Sequence, residues 1–274
     1  AWRGSLQMIK LIENLSKNTA EDLTAFFPDD AAAAFTLFSL LDFTSVDGAW
    51  LQTQGEDITG LVVEKESSKV YVCACDTADF YELADFITRL GGVVVHCCSD
   101  ITEKLGVTAF SKISVMALKK ELTRGRESVE INDGLRPVFD LLMQSKTEIL
   151  TNAVEKKDLK KYTDRAYKEW LSRTARGIFS GYTSVRAIKV GENSILSVAI
   201  ADRLGKNIFI RDVATDSEFR RMGYASDCIS GLCRDFKRDG ERVLLACNDL
   251  KTEKLYNKIG FEREIYMDLG IIEL

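Results

Sequence analysis

The chain has 274 residues, of which 46% are hydrophobic and 29% charged, a balance typical of a globular protein rather than a disordered one. Its net charge is −5 and its basic and acidic residues are mixed throughout, so we expect no nucleic-acid partner, which would need a concentrated basic face. No stretch approaches the ~20 apolar residues that span a bilayer, and Ala1 to Lys10 lack the apolar core of a secretion signal, which predicts a cytoplasmic protein with free thiols and no membrane partner.

The first half of the chain predicts a sheet accompanied by helices. A helical region rich in alanine and phenylalanine is predicted from about Ala20 to Leu41. A helix over Ala78 to Leu90 carries apolar residues at a spacing of three to four, and Gly91-Gly92 is expected to end it. The predicted strands are Gln7–Ile12, Ala49–Thr53, Ile58–Glu64, Lys69–Cys75, Val93–Cys98 and Phe110–Leu118.

The second half predicts a similar order of elements. Its predicted helices are Arg136–Gln144, Leu159–Ile178, Gly223–Arg238 and Thr252–Ile259, and its predicted strands are Thr183–Val190, Ser194–Asp202, Asn207–Thr215, Val243–Cys247 and Glu264–Ile272. Each half therefore predicts a mixed sheet covered by helices, which is an α/β or α+β architecture built twice. The join is expected between Leu118 and Arg136, which gives domains of residues 1–120 and 121–274.

The segment from Asn207 to Ala225 combines the features of a phosphate-binding turn. A strand runs into a polar turn, and the helix then opens with Arg220, Arg221, Met222, Gly223, Tyr224 and Ala225. The N-terminus of a helix has unpaired N–H groups and a positive dipole end, so it attracts phosphate. Gly223 would let the backbone approach an anion closely, and the two arginines would add positive charge where a pyrophosphate lies.

The pattern Arg220-x-x-Gly223-x-Ala225, between a strand and an amphipathic helix, resembles the cofactor-binding motif of the GNAT superfamily of N-acetyltransferases. A later stretch is similar to a second motif of that superfamily, with Asn248, then Leu255-Tyr256, then Gly260-Phe261. The resemblance covers roughly Thr183 to the C-terminus and implies an acyltransferase that uses acetyl-CoA. The nucleotide-binding patterns G-x-x-x-x-G-K-[ST] and G-x-G-x-x-G do not occur.

The resemblance also implies a mechanism of direct transfer, in which a neutral amine attacks the thioester carbonyl without an acyl-enzyme. Backbone groups of Val213, Ala214 and Thr215 would pair with the pantetheine arm, and the Val213 amide would face the oxyanion. Tyr256 is the candidate general acid. A phenol has a pKa of ~10 and a thiol a pKa of ~8.5, so a positioned tyrosine can protonate the departing thiolate. Asn248 would hydrogen-bond the pantetheine arm.

The general base and the acceptor are less defined by the sequence. Asp212 and Glu218 are the nearest carboxylates, and each could instead be a structural or solvated acid replaced in catalysis by a water chain. The acceptor is expected to be a small amine or an exposed amino group, and the sequence is compatible with a homodimer. Trp170, Arg173 and Arg176 could line a pocket for an acceptor that bears a carboxylate or phosphate, although arginines on helices more often face water.

The first half lacks a cofactor loop, because only Asp76-Thr77 separates the predicted strand at Cys75 from the helix at Ala78. We therefore interpret it as a degenerate second GNAT-like copy that supports the active half. Its cysteines and histidine, namely Cys73, Cys75, His96, Cys97 and Cys98, permit a zinc hypothesis. Core packing is the preferred interpretation, since these residues lie in apolar strands, and no metal site is predicted.

Two other functions remain open at the level of the sequence. The chain could be an acetyl-CoA sensor or scaffold that binds the cofactor without turnover, since the general base is not evident. It could also be a transferase that uses another acyl donor. Release of free thiol in the presence of an amine would distinguish an enzyme from a sensor.

Overall fold

A computed structural model of the chain describes residues 7–27, 30–41, 45–91, 94–120, 122, 125–150, 156–191 and 194–272. In chain order its elements are β1 (Gln7–Leu11), α1 (Lys17–Thr24), α2 (Ala31–Ser39), β2 (Val46–Gln54), β3 (Asp57–Lys65), β4 (Lys69–Ala74), α3 (Phe80–Leu90), β5 (Val94–Cys98), β6 (Val107–Leu118), β7 (Val129–Glu130), α4 (Arg136–Leu150), α5 (Lys156–Phe179), β8 (Thr183–Val190), β9 (Ser194–Leu204), β10 (Asn207–Thr215), α6 (Tyr224–Asp235), β11 (Arg242–Cys247), α7 (Leu250–Ile259) and β12 (Phe261–Ile272). None of these helices combines the length and the apolar character needed to cross a bilayer.

The chain forms two compact units. Unit 1 contains Ala1–Ala117 together with Ala246–Leu274, and unit 2 contains Leu118–Leu245. From the sequence we expected residues 246–274 to belong to the second domain. They group with unit 1 because β12 pairs with β5, with Met267 opposite Cys98 and Gly270 opposite Val95.

The sheet of unit 1 has the strand order β1-β2-β3-β4-β5-β12-β6. Its described pairs are antiparallel except β4–β5, which is parallel. Leu83 and Ile87 are fully buried on α3 and share a core with strand residues such as Val72. The helix ends at Gly91, which adopts the left-handed φ of 75° that glycine tolerates, as the sequence predicted.

The predicted helical region over Ala20 to Leu41 is two helices rather than one. The side chain of Asp30 accepts hydrogen bonds from the N–H groups of Ala32 and Ala33 and so starts α2 as a separate helix. The first helix, α1, is capped in the same way by Ser16. Composition predicted helix throughout because alanine favours it, but a capping aspartate within the segment marks a new N-terminus.

The sheet of unit 2 has the order β11-β10-β9-β8-β7, and its described pairs are antiparallel except β10–β11. Val138 and Leu142 of α4 share a core with inward residues of β8 and β9 such as Val185. Arg186 points to the other face of β8, where it lies beside Gly231 of α6. Each unit is therefore a mixed, mostly antiparallel sheet with helices, which confirms the predicted fold class.

A buried ion-pair network ties α5 to the sheet of unit 2. Asp202 is 1% exposed, and its carboxylate accepts from Arg173 at 2.9 Å and from the Thr183 hydroxyl at 2.6 Å. Arg211 pairs with the same carboxylate at 3.0 Å and donates to Thr174 of α5 at 2.8 Å. Burial lowers the pKa of Arg211, but the carboxylates of Asp202 and Asp212 more than offset this, so the pKa is raised and the guanidinium stays charged.

Replacing Asp202 by alanine is expected to destabilise the protein strongly. The change removes the buried carboxylate that Arg173 and Arg211 share and leaves Arg211 with Asp212 alone. Breaking a buried ion pair from one side typically costs about 3–5 kcal/mol. Asp140→Ala is the matched control, because it removes an exposed carboxylate that pairs with Arg136 one helical turn away. Urea unfolding followed by circular dichroism measures both variants, and equal midpoints would show that the network does not stabilise the fold.

The cysteine-rich strands of unit 1 form part of its interior. Cys73, Cys97 and Cys98 are buried, and burial raises the pKa of each thiol, to about 11 for Cys97 and about 12 for Cys98. The ring of His96 stacks on Tyr71 with centroids 4.3 Å apart, and burial, followed by the charge of Lys69, lowers its pKa to about 4. Within the described ranges, no three His, Cys, Asp or Glu side chains are arranged to hold a metal ion.

One cysteine should react far faster than the others. Cys75 is exposed, whereas the other six are buried or partly buried. Because thiolates react and burial disfavours them, we expect one rapidly titrating thiol with Ellman's reagent in the native protein. The Cys75→Ser variant should lose that fast phase, and a fast phase that persists in the variant would contradict the assignment.

Candidate functional site

Strand β10 extends beyond its parallel neighbour. It pairs with β9 along its whole length, from Asn207 opposite Leu204 to Thr215 opposite Ser197. Its parallel register with β11 covers only Asn207–Ile210, opposite Arg242–Leu245. An irregularity between Ile210 and Asp212 leaves Arg211 without an opposite residue on β9, and such a bulge bends a strand. The last residues of β10, Asp212–Thr215, thus present a backbone edge outside that parallel register, suited to an extended ligand.

The turn after β10 has an unusual backbone. Asp216 caps a short 3-10 helix, Ser217–Phe219, and the Arg220 side chain donates to the carbonyl of Thr215 at 3.2 Å. Arg221 has a φ of 68° and Gly223 a φ of 88°. A left-handed conformation costs a residue other than glycine about 1–3 kcal/mol and is concentrated at functional sites. Backbone that changes handedness in this way can form a concavity of N–H groups that binds anions.

The N-terminus of α6 has no side-chain cap. Its N-cap residue is Gly223, and no cap hydrogen bond from the first turn to a side chain occurs among the described residues. The helices α2, α3 and α7 are capped instead by the carboxylates of Asp30, Asp79 and Asp249. Donors in the first turn of α6 are therefore left for an external acceptor, and the helix dipole favours a negative one.

Unit 1 shows the opposite arrangement at its corresponding helix. The side chain of Asp79 accepts a hydrogen bond from the N–H group of Glu82 at 2.9 Å in the first turn of α3. A carboxylate at the N-cap of a helix accepts a hydrogen bond from an N–H group of the first turn, and its negative charge repels phosphate. The arrangement agrees with our interpretation of the first half as a copy without a cofactor loop.

The two candidate bases differ in their surroundings. Asp212 is partly buried, and its carboxylate pairs with the guanidinium of Arg211. Glu218 is exposed in the turn after β10, where its backbone N–H donates to Asp216. The Asp212 carboxylate is thus engaged by an ion pair, whereas Glu218 is exposed to solvent.

The three candidate acceptor residues of α5 differ in their surroundings. Trp170 packs against the core of unit 2, with its ring 5.4 Å from that of Phe139, and its indole N–H has no partner among the described residues. Arg173 belongs to the buried network of Asp202. Arg176 is exposed. Only the last of these side chains is directed to solvent.

Asn248 and Tyr256 belong to unit 1. Asn248 is exposed in the bend between β11 and α7. Tyr256 is 7% exposed and meets the ring of Phe261 edge-on, with centroids 6.0 Å apart. Burial, followed by the charges of Cys247 and Asp249, raises the pKa of Tyr256 to about 12, so its phenol is protonated at physiological pH.

One residue beside the turn was not identified from the sequence. Arg126 donates to the carbonyl of Met222 at 3.0 Å and to the carboxylate of Asp227 at 2.8 Å. Its guanidinium also lies over the ring of Tyr224, 4.7 Å from the centroid. The sequence gives no sign of this position, because Arg126 lies in a segment predicted to join two domains and Met222 is about a hundred residues later in the chain.

The chain matches known proteins in one family model and in fold. Residues 195–267 match the model of the family described as FR47-like protein, which is of GNAT type. No curated protein matches the chain in sequence. The family match contains β10, the turn and α6, together with the segment of Asn248 and Tyr256.

Three solved structures resemble the chain over nearly its full length. An acetyltransferase of the GNAT family from Colwellia psychrerythraea has a TM-score of 0.59 at 11% identity, covering 97% of this chain and 100% of its own. A tandem GNAT protein from the clavulanic acid biosynthesis pathway has a TM-score of 0.58 at 7% identity, covering 96% and 97%. A GCN5-related N-acetyltransferase from Sphaerobacter thermophilus has a TM-score of 0.57 at 12% identity, covering 96% and 94%. The chain thus has the fold of GNAT acetyltransferases, and its residues 195–267 match a GNAT-type family model.

Proposed function

We propose that the protein is an N-acetyltransferase that transfers an acetyl group from acetyl-CoA to an amine. The observation that carries the proposal is the N-terminus of α6 at Gly223, which has no side-chain cap and follows the turn after β10, a strand that extends beyond its parallel register with β11. A GNAT-type family match across the same residues and the fold of the whole chain support it.

The residues of unit 2 fit coenzyme A in two respects. The turn offers backbone donors at a positive dipole end and two exposed arginines, Arg220 and Arg221, which suit a pyrophosphate. The edge of Val213–Thr215 offers alternating N–H and C=O groups, which suit the amides of a pantetheine arm. We assign Met222, Gly223, Tyr224 and Ala225 to the phosphate-binding turn.

Bound acetyl-CoA would supply an activated thioester to a neutral amine. The chain's own contribution begins with positioning, since holding two reactants in line removes much of the entropic barrier. The Val213 N–H is proposed to donate to the carbonyl oxygen as negative charge develops on it. Losing a comparable donor in other enzymes costs about 2.7–4 kcal/mol.

Tyr256 is proposed to donate its proton to the departing sulfur, and Asn248 to bind the pantetheine arm. Both assignments rest on the motif Asn248, Leu255-Tyr256 and Gly260-Phe261. For the base we favour Glu218 over Asp212, because Asp212 is already paired with Arg211. The acceptor is proposed to be a small amine or an exposed amino group, with Arg176 as the accessible cation of α5 and Trp170 and Arg173 as its structural neighbours.

Incubation with acetyl-CoA and a panel of amines tests the function. Thiol release should be followed with Ellman's reagent in a Cys75→Ser background, which removes the exposed thiol of the protein. Release that depends on an amine supports the enzyme. Tight binding of CoA by calorimetry without release would instead identify a sensor, and release from longer acyl donors only would identify another acyltransferase.

A further inference from the structure

We propose that Arg126 is a phosphate-binding residue of the CoA site, supplied by the segment that precedes β7. This inference rests on the proposed function and adds a residue that lies outside the motif. Arg126 lies in unit 2 together with the turn and α6. Its position follows from contacts made by three residues of its segment.

The segment lies unusually close to α6. A Cβ added to Gly125 would lie 1.9 Å from the carboxylate of Asp227, and one added to Gly231 would lie 1.9 Å from the hydroxyl of Ser128. A side chain at either glycine would therefore have to displace the Asp227 carboxylate or the Ser128 hydroxyl from its present position. The Arg126 backbone N–H also donates to Asp227 at 3.2 Å. Residues 125 to 128 are thus fixed along the first two turns of the helix.

This packing directs Arg126 to the anion-binding turn. Its Nη1 bonds the Met222 carbonyl and the Asp227 carboxylate, and the same atom is 3.6 Å from the position of a Cβ on Gly223. The side chain remains 55% exposed. The hydrogen bonds that the guanidinium makes to described residues come from Nη1, so Nε and Nη2 can serve as donors to a ligand.

Charge explains why a cation is needed there. Asp227 is 8% exposed and lies in the first turn of α6, within reach of any phosphate at the N-terminus. An uncompensated carboxylate would repel that phosphate, and Arg126 neutralises it at 2.8 Å. The guanidinium fork can bond the carboxylate with one edge and a phosphate oxygen with another.

Calorimetric titration of the full chain with CoA tests the inference. Arg126→Gln should weaken CoA binding roughly ten- to a hundredfold, as expected for losing a hydrogen bond between charged groups. Arg126→Lys should recover part of the loss, since it keeps the charge but not the fork. The control, Arg234→Gln, removes another Arg–Asp pair from the last turn of α6 and should leave the affinity unchanged.

Two further measurements separate a phosphate contact from a purely structural role. The affinity of Arg126→Gln should depend less steeply on salt than that of the wild type, because one fewer cation meets the phosphates. A loss of similar size with dephospho-CoA assigns the contact to the pyrophosphate, and a loss confined to CoA assigns it to the 3′-phosphate. Both outcomes support the inference.

Unchanged CoA affinity in Arg126→Gln overturns this inference alone. Weakened affinity with an unchanged salt dependence also overturns it, because the residue would then only hold the turn. Absence of CoA binding by the wild-type protein overturns the proposed function as well.

Discussion

Replacing Gly223 by valine should raise the Kd for CoA by at least roughly a hundredfold, the equivalent of losing two charge-assisted hydrogen bonds. Gly223 has a φ of 88°, which a β-branched residue adopts only under strain. The new residue would move the backbone out of this conformation or place its side chain against the guanidinium of Arg126. Either response displaces the donors at the start of α6.

Gly240→Val is the matched control for strain. Gly240 has a φ of 77° and no atom within 4 Å of an added Cβ, so the change stresses the backbone equally at a different place in unit 2. Both variants should lose similar stability in thermal unfolding, but only Gly223→Val should lose CoA binding by calorimetry. Wild-type affinity in Gly223→Val would remove the turn from the site.

Tyr256→Phe should lower kcat about a hundred- to ten-thousandfold, the range over which a general acid contributes to rate. The substitution removes only the phenolic oxygen, and the ring can keep its edge-on contact with Phe261. CoA affinity should therefore stay near the wild-type value. Tyr81→Phe, at a tyrosine that is 86% exposed, is the control and should have wild-type kcat.

The pH profile provides a second test of Tyr256. Its pKa is raised to about 12, so its proton is retained as the pH rises from 7 to 10. Over that window the wild-type rate should increase as the acceptor amine loses its own proton, and it should not decline on account of this tyrosine. A wild-type rate that falls through pH 9 would contradict the raised pKa of the acid, and full activity in Tyr256→Phe would exclude Tyr256 as the acid.

Local patterns predicted most of the fold. The periodicity of α3, the glycine that ends it and the strand–turn–helix order around Gly223 are all encoded within a few residues. The division at Asp30 was missed, because the high helix propensity of the surrounding alanines concealed a cap. The pairing of β12 with β5 could not be predicted, since register between strands so distant in sequence depends on the whole sheet.

The candidate site was predictable to the extent that it is local. The motif identified Gly223 and its neighbours, including the two arginines Arg220 and Arg221 that precede it. Arg126 was not identifiable, because its contact with Met222 depends on two glycines that allow close packing. The ion pair between Arg173 and Asp202 could not be predicted either, because the helix and the strand that carry them come together only when the sheet has formed.

The difference between Asp79 at α3 and Gly223 at α6 has a consequence for how the two units respond to ligand. The aspartate at the N-cap of α3 is an acceptor that belongs to the chain, so the first turn of α3 makes the same hydrogen bond with or without a bound small molecule. The first turn of α6 has no such acceptor among the described residues, so its N–H groups are available to an anion. Saturation with CoA should therefore slow amide hydrogen exchange at the start of α6 and leave the start of α3 unaltered.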